Sequence, residues 1–468
     1  MNKFINRKIE LQYLDEMYQK ANNTAQFLII YGKRRVGKTE LIKYFFKDKS
    51  HIYFLASKGS ALDQLQTATE VFANGFNDLI INKNSFQNWR QLFEYIASKS
   101  KDIDKPIIIV FDEFPYLVES DSAISSYFQY GWDEKLKNHK VMLILMGSSI
   151  SMMYKHALQY NAPIYGRRTG QYLLEPFSFK QSKLFYQDAE FDKVFPLYSL
   201  VGGIPIYLKE MDSKKSFKDN IIFSFLKKGS FLSIEPELLL AEEFSEPRTY
   251  LSILKAIGLG RTKYSEILNE TGMLANKLSI YIKTLIDLRL VRREIPVTDN
   301  IPEQSKKGAY SLNDNFLRFY FSFVYPNKSF IESENYTLLF KKYNEVLVQL
   351  IAKSYEDATF EFINNVIKLE KLPTFNKLGR WWDKKTEIDL VGLNEDENSI
   401  LFVETKWNSK PIGINVLNDL KTKSNEVKWG KPKRREHFAL VAKGGFSQEL
   451  ISKAKEEKVI LIEKDKAI

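Results

Sequence analysis

Cysteine is absent from this 468-residue chain, and histidine is scarce, occurring only as His51, His139, His156 and His437. The first absence excludes a disulfide framework and any thiolate metal site. The second excludes a histidine cluster for zinc, so a divalent metal has to be met by oxygen ligands. No run approaches 18 apolar residues, and the opening MNKFINRKIE holds no apolar signal segment. The expectation is a soluble, cytoplasmic protein with no membrane partner. The length suffices for about three domains, each with its own core. Basic residues outnumber acidic ones by 69 to 58, a formal net charge of +11. That excess permits a nucleic-acid partner, but heavy use of Lys, Asn, Ile, Phe and Tyr throughout the chain also accounts for it.

The stretch FLIIYGKRRVGKTEL, residues 27–41, organises what is present. Its apolar start reads as a buried strand, Gly32 to Gly37 as a turn, and Lys38 and Thr39 as the opening of a helix. In the GxxxxGK[ST] pattern the glycines let backbone N–H groups converge on phosphate, which the positive end of the helix also attracts. Lys38 would then reach the β and γ phosphates of ATP, and Thr39 would offer its hydroxyl to Mg²⁺.

Further along, Pro106 precedes IIIVFDEF, a continuous apolar run suited to a central parallel strand. It delivers Asp112 and Glu113 to the carboxyl end of the sheet, where the sites of open α/β sheets lie. Asp112 would hold Mg²⁺ through water, and Glu113 would orient or deprotonate the attacking water. Residues 141–146 form another buried strand ending in Gly147-Ser148-Ser149, where Ser148 would sense the γ phosphate or simply serve the turn. In YGRRTG, Arg167 and Arg168 would meet phosphates of the same or a neighbouring subunit. A solvated basic turn is the rival reading. Helices are expected over 6–18 and 86–96, the latter with Trp89, Leu92, Phe93 and Ile96 as core.

Together GKRRVGKTEL, IIIVFDEFPYL, LILMGSS, YGRRTGQYLLEPFSF and LVGGIPIYL resemble the archaeal-type ATPases, a branch of the AAA-like and STAND NTPases. The resemblance implies a parallel-sheet P-loop core over 1–176 and a helical lid over 177–246. It also implies a proline near the adenine, carried over to Pro205, with Gly203 in the same element.

Residues 247–326 carry a helix-turn-helix pattern around Thr271-Gly272, with LVRREIPV and GAYSLND as two strands of a wing. Lys277, Ser279 and Lys283 would face a groove, and Arg289, Arg292, Arg293, Lys306 and Lys307 add charge near the wing. Such a unit serves as a rigid connector as readily as a DNA contact. The aromatic stretch NDNFLRFYFSFVY reads as a helix buried against a neighbour.

The last segment, 327–468, pairs EIDLV with the strand ILFVETKW across the polar hairpin NEDENS. Glu404 and Lys406 are two apart and share one face, while Val403 and Thr405 take the other. Asp389, 15 residues before Glu404, would come alongside it and share a divalent ion with it and the Thr405 carbonyl. Lys406 would activate water or steady the charge of a phosphorane. This constellation resembles the PD-(D/E)xK nucleases, and the resemblance adds Glu361 as the first-helix acid, with Ile388 standing at the motif's proline. It implies an α/β restriction-endonuclease-like domain binding Mg²⁺, or Mn²⁺ in its place. Residues 421–437 hold seven Lys or Arg against two acids, with Trp429 among them. They would track a DNA backbone or form a solvated loop.

Three functions stay open on the residues alone. The first is an ATPase joined to a metal-dependent DNA nuclease. The second is a STAND-like nucleotide switch whose nuclease-like domain binds DNA without cutting it. The third is a scaffold ATPase that binds a protein partner or assembles as a homo-oligomer.

Overall fold

A computed structural model describes residues 4–101, 103–187, 189–299, 305 and 307–468. The expectation placed on Lys306 therefore lies outside the described residues. The chain forms two compact units, one of residues 1–176 with 204–206, the other of 177–203 with 207–468.

The first unit is built on five parallel strands, β1 (Gln26–Tyr31), β2 (His51–Leu55), β3 (Ile107–Asp112), β4 (Val141–Gly147) and β5 (Gly170–Leu173), in the order β2-β3-β4-β1-β5. Alternation along the strands explains why β1, β3 and β4 are apolar without interruption. Phe27, Ile29, Ile109, Phe111, Leu143 and Leu145 enter one core layer. Leu28, Ile30, Ile108, Val110, Met142 and Ile144 enter the layer on the other face. Both faces are covered by helices, so neither parity can be polar. The helix Trp89–Lys99 is capped by the Asn88 side chain and buries Trp89, Leu92, Phe93 and Ile96, as the periodicity predicts.

In the second unit, helices Tyr264–Thr271 and Ala275–Asp287 meet at Gly272, whose φ of +63° suits a residue without Cβ. Ile267, Leu278, Ile282 and Leu285 are buried beneath them. β6 (Val291–Glu294) and β7 (Ala309–Leu312) follow as an antiparallel hairpin. The aromatic stretch is helical over Asn315–Phe319 and continues in wider turns through Val324, with Phe316, Phe319, Phe321 and Phe323 buried. A long helix, Tyr336–Lys368, is kinked at Tyr343.

The closing sheet is mixed: β8 (Lys377–Trp382), β9 (Glu387–Asn394), β10 (Ser399–Lys406), β11 (Arg435–Ala442), β12 (Ile460–Glu463) and β13 (Lys466–Ala467), ordered β13-β12-β11-β10-β9-β8. β9 runs antiparallel to β10, whereas β11 and β12 are parallel to their inner neighbours. Helices Ile414–Ser424 and Gln448–Glu457 cover the face of Ile400 and Phe402 with Leu417, Leu420 and Leu450.

One buried charge network ties three of these elements. Asp357 on the long helix accepts from Arg292 of β6 and from Arg318, both at 2.7 Å. Burial would raise the Asp357 pKa, but the two guanidinium groups outweigh it and hold the carboxyl well below the usual range. Arg292 is therefore a strut of the fold rather than a charge offered by the hairpin to nucleic acid. Asp357→Asn leaves two guanidinium groups facing a neutral amide and is expected to destabilise the unit by roughly 3–5 kcal/mol at pH 7. Since the depressed pKa stabilises only above the unfolded value near 4, denaturant titrations should show that difference fading as pH falls below it.

Candidate functional site

The phosphate loop leaves β1 at Tyr31. At Gly32, with φ +153°, a Cβ would lie 2.3 Å from the Leu174 carbonyl oxygen, so no other residue fits. Gly37, at φ +95°, precedes the helix Lys38–Phe46. Lys38 is 5% exposed, and its ammonium donates to the Gly32 and Lys33 carbonyls at 2.8 and 3.1 Å, within the loop it would share with phosphate. Pro205 reaches this loop, its ring carbon 3.8 Å from the position of a Gly37 Cβ.

Asp112 ends β3 with 1% exposure and three donors. Its Oδ1 accepts from the Glu113 backbone N–H at 2.9 Å, and its Oδ2 from the hydroxyls of Thr39 and Tyr53 at 2.8 and 2.6 Å. A hydroxyl and a carboxylate oxygen are hard donors of the kind Mg²⁺ takes, so the pair fits that ion. Glu113 lies in the left-handed region at φ +53°, and its carboxylate accepts from the Ser148 hydroxyl at 2.9 and 2.8 Å and from the Ser148 N–H at 3.3 Å. Strained backbone of this kind costs on the order of 1–3 kcal/mol and is held by its surroundings. Ser148 is thus a partner of Glu113.

Arg167 and Arg168 are not brought to this loop within their own unit. Thr169 N–H donates to the Phe27 carbonyl and Gly170 pairs with Leu28, so the two arginines precede β5 at the opposite end of the sheet. At about 3.3 Å per residue that is roughly 20 Å from Gly32. Arg167 pairs with Asp133 at 3.1 Å, and Arg168 lies over the Tyr165 ring. Besides Arg34 and Arg35 within it, the loop is held by Arg7, which sequence reasoning missed. Arg7 is 4% exposed and donates to the Val36 and Glu175 carbonyls and to Glu10. Its place ahead of an amphipathic helix, with no motif spacing to Val36, gave nothing to find it by.

In the second unit the register of β9 and β10 ends at Leu390 with Val403, which puts Asp389 alongside Glu404 as expected. Asp389 Oδ2 accepts from the Thr405 N–H at 2.8 Å. Glu404 accepts from Lys406 at 2.7 Å and from Lys423, on the helix Ile414–Ser424, at 3.0 Å to both oxygens. Burial, then the charges of Glu356 and Glu404, push the Asp389 carboxyl up to about 7. Burial alone would lower the Lys406 pKa, but Glu404 raises it. Glu361 does not join this group. Its carboxylate caps the helix Phe179–Ser182, accepting from the Ser178 hydroxyl and the Phe179 and Lys180 N–H groups at 3.0–3.1 Å. The acid of the long helix that acts on Asp389 is Glu356, held by Lys353 at 3.0 Å and Arg380 at 3.4 Å. Among the described residues no three acids or histidines gather closely enough to hold a metal ion. A divalent ion at Asp389 and Glu404 fits only by displacing Lys423.

The exposed charges divide similarly. Arg434 donates to the Ser424, Val427 and Trp429 carbonyls and so shapes its own loop. Lys428, Lys431, Lys433 and Arg435 are exposed, as are Lys277 and Lys283, while Ser279 is bonded to Tyr264.

Residues 4–211 match the model of an ATPase domain found predominantly in Archaea, and residues 320–437 match a family described as proteins of unknown function from Archaea and bacteria. An uncharacterised protein of Methanocaldococcus jannaschii is 36% identical over 451 residues, covering 95% of this chain and 97% of its own. The chain belongs to the family of that protein, and its amino-terminal unit is a P-loop ATPase domain. An ATP-binding protein of the same organism is 50% identical over 46 residues, 10% of this chain and 75% of its own. The Walker-type ATPase of Pyrococcus abyssi has a similar fold, with a TM-score of 0.50 at 20% identity over 68% of this chain and 96% of that one. Among the described residues no helix is long and apolar enough to cross a membrane.

The raised Asp389 pKa has a measurable consequence. A carboxyl that holds its proton more tightly when folded stabilises fully below the ordinary value near 4 and loses that contribution as pH rises through 7. Asp389→Asn, neutral throughout, is expected to exceed the parent in stability at pH 8 by roughly 2–4 kcal/mol. Thermal melts should show the gap closing toward pH 5.

Proposed function

We propose that this protein is a Mg²⁺-dependent ATP hydrolase whose carboxyl-terminal domain, restriction-endonuclease-like and preceded by a winged helix, binds DNA and cuts it with a divalent ion. The proposed domains are an ATPase core to 176, a lid to 246, a winged helix to 326 and a nuclease-like domain to 468. The observation that carries the ATPase half is the meeting of Lys38, Thr39, Asp112 and Glu113 at the carboxyl ends of β1 and β3. Lys38 and the loop N–H groups bind phosphate, Thr39 and Asp112 hold Mg²⁺, and Glu113 orients water once released from Ser148. The bound ion would supply charge neutralisation between the phosphates. Arg167 and Arg168 face phosphate only across a subunit boundary in a homo-oligomer.

Steady-state assays on purified protein test this half. Lys38→Ala should weaken nucleotide binding on the order of tenfold or more, whereas Glu113→Gln should keep ATP affinity and lose turnover by roughly 10²-fold or more. Parental hydrolysis by Glu113→Gln would end the assignment.

For the second half, Asp389 and Glu404 would hold the metal, with Lys406 beside them and Glu356 as the helix acid in place of Glu361. The exposed lysines of 428–433 would track the backbone. With about five phosphates neutralised, log K should fall against log salt with a slope of about 4.5, and replacing Lys428, Lys431 and Lys433 should flatten it by about 0.9 for each phosphate left unneutralised. An unchanged slope returns these lysines to plain surface. A second reading, a nucleotide switch whose domain binds DNA without cutting, is favoured by the two lysines saturating Glu404. Linear, nicked and branched DNA incubated with Mg²⁺ or Mn²⁺ separates the two, since only the first predicts cleavage that Asp389→Asn abolishes.

A further inference from the structure

We propose that the Tyr53 hydroxyl is a positioning group of the ATPase site, fixing the Asp112 carboxylate and thereby setting how strongly nucleotide binding depends on Mg²⁺. The inference rests on the reading of Asp112 and Thr39 as the magnesium-holding pair.

Tyr53 lies in the middle of β2, where HIYFL pairs in parallel with β3. Leu55 is the register partner of Asp112, so Tyr53, two residues earlier, shares that face and reaches forward to the strand end. Its hydroxyl donates to Asp112 Oδ2 at 2.6 Å, the shortest of the three bonds to that carboxylate. The ring is itself held, with Phe46 at 6.0 Å and the Lys43 ammonium 5.3 Å above it. The second donor to the same oxygen, Thr39, has lone pairs that the ion would engage while its proton stays on Oδ2. Thr39 would change surroundings between metal-free and metal-bound states, whereas Tyr53 is fixed by the backbone of β2 and by Phe46 and Lys43 of the helix after the loop, although its hydroxyl also interacts with that of Thr39. Tyr53 is therefore the donor able to hold Oδ2 in one place in both states. A buried carboxylate without that donor has a wider range of χ2 and a poorer aim at the hydration shell of the ion.

The test is Tyr53→Phe in the full chain, which keeps the ring and removes one oxygen. Affinity for a fluorescent ATP analogue is measured in EDTA and across a Mg²⁺ titration. Affinity in EDTA should agree with the parent within about twofold, because the cradle for phosphate is intact. The Mg²⁺ concentration giving half-maximal enhancement of binding should rise about tenfold, the expected consequence of losing one hydrogen bond to a charged group. In an Asp112→Asn background, which should itself abolish most of the enhancement, Tyr53→Phe should add nothing. A Mg²⁺ requirement equal to the parent's overturns the proposal, as does an equal loss of affinity with and without metal, which marks a merely structural role. Full enhancement by Mg²⁺ in Asp112→Asn alone overturns the magnesium-holding role of Asp112 on which the proposal rests, and that Asp112→Asn titration tells the two failures apart.

Discussion

A carboxylate with 1% exposure at the end of a central strand is tolerable only when every oxygen is met, and Asp112 is the constraint around which the first unit is arranged. Its three donors come from three places: the helix after the phosphate loop, the neighbouring strand, and its own next residue. The sheet order that puts β2 beside β3 and β1 one strand further away brings these donors to the same end. The left-handed backbone of Glu113 is a further consequence, since its N–H must turn back to Asp112 while its side chain reaches Ser148.

The second unit meets its buried charge in a different way, by pairing within itself. Asp357 joins two arginines from separate elements, Glu361 satisfies a helix start, and Glu404 takes two lysines. The pairings of Asp357 and Glu361 take those acids out of the set available to ligands, and a cation bound at Glu404 would have to replace a lysine. Arg292 and Arg434 look like nucleic-acid contacts by composition and are structural by geometry, because desolvated guanidinium groups find acceptors inside the fold before they find any outside it.

The closely spaced acids around Asp389 are accommodated by neighbouring charge and by a raised pKa. Burial and the charges of Glu356 and Glu404 favour a proton on Asp389, while Lys406 and Lys423 neutralise Glu404. The arrangement is electrostatically satisfied as it stands.

By itself the sequence determined the strands of the parallel sheet, the phosphate loop, the roles open to Lys38, Thr39, Asp112 and Glu113, and the adjacency of Asp389 and Glu404. Each follows from local periodicity, a short motif or a hairpin of fixed length, all of which act over few residues. Tertiary structure alone decided the rest. Tyr53 and Arg7 meet their partners 59 and 29 residues away, with nothing in the spacing to announce it. Glu356 rather than Glu361 acts on Asp389 because the two acids leave a single helix in different directions, and only the packing of that helix shows which one meets the sheet. The arginines 167 and 168 sit close in sequence to a strand of the nucleotide unit but at its far end, since a parallel strand separates its two ends by its whole length.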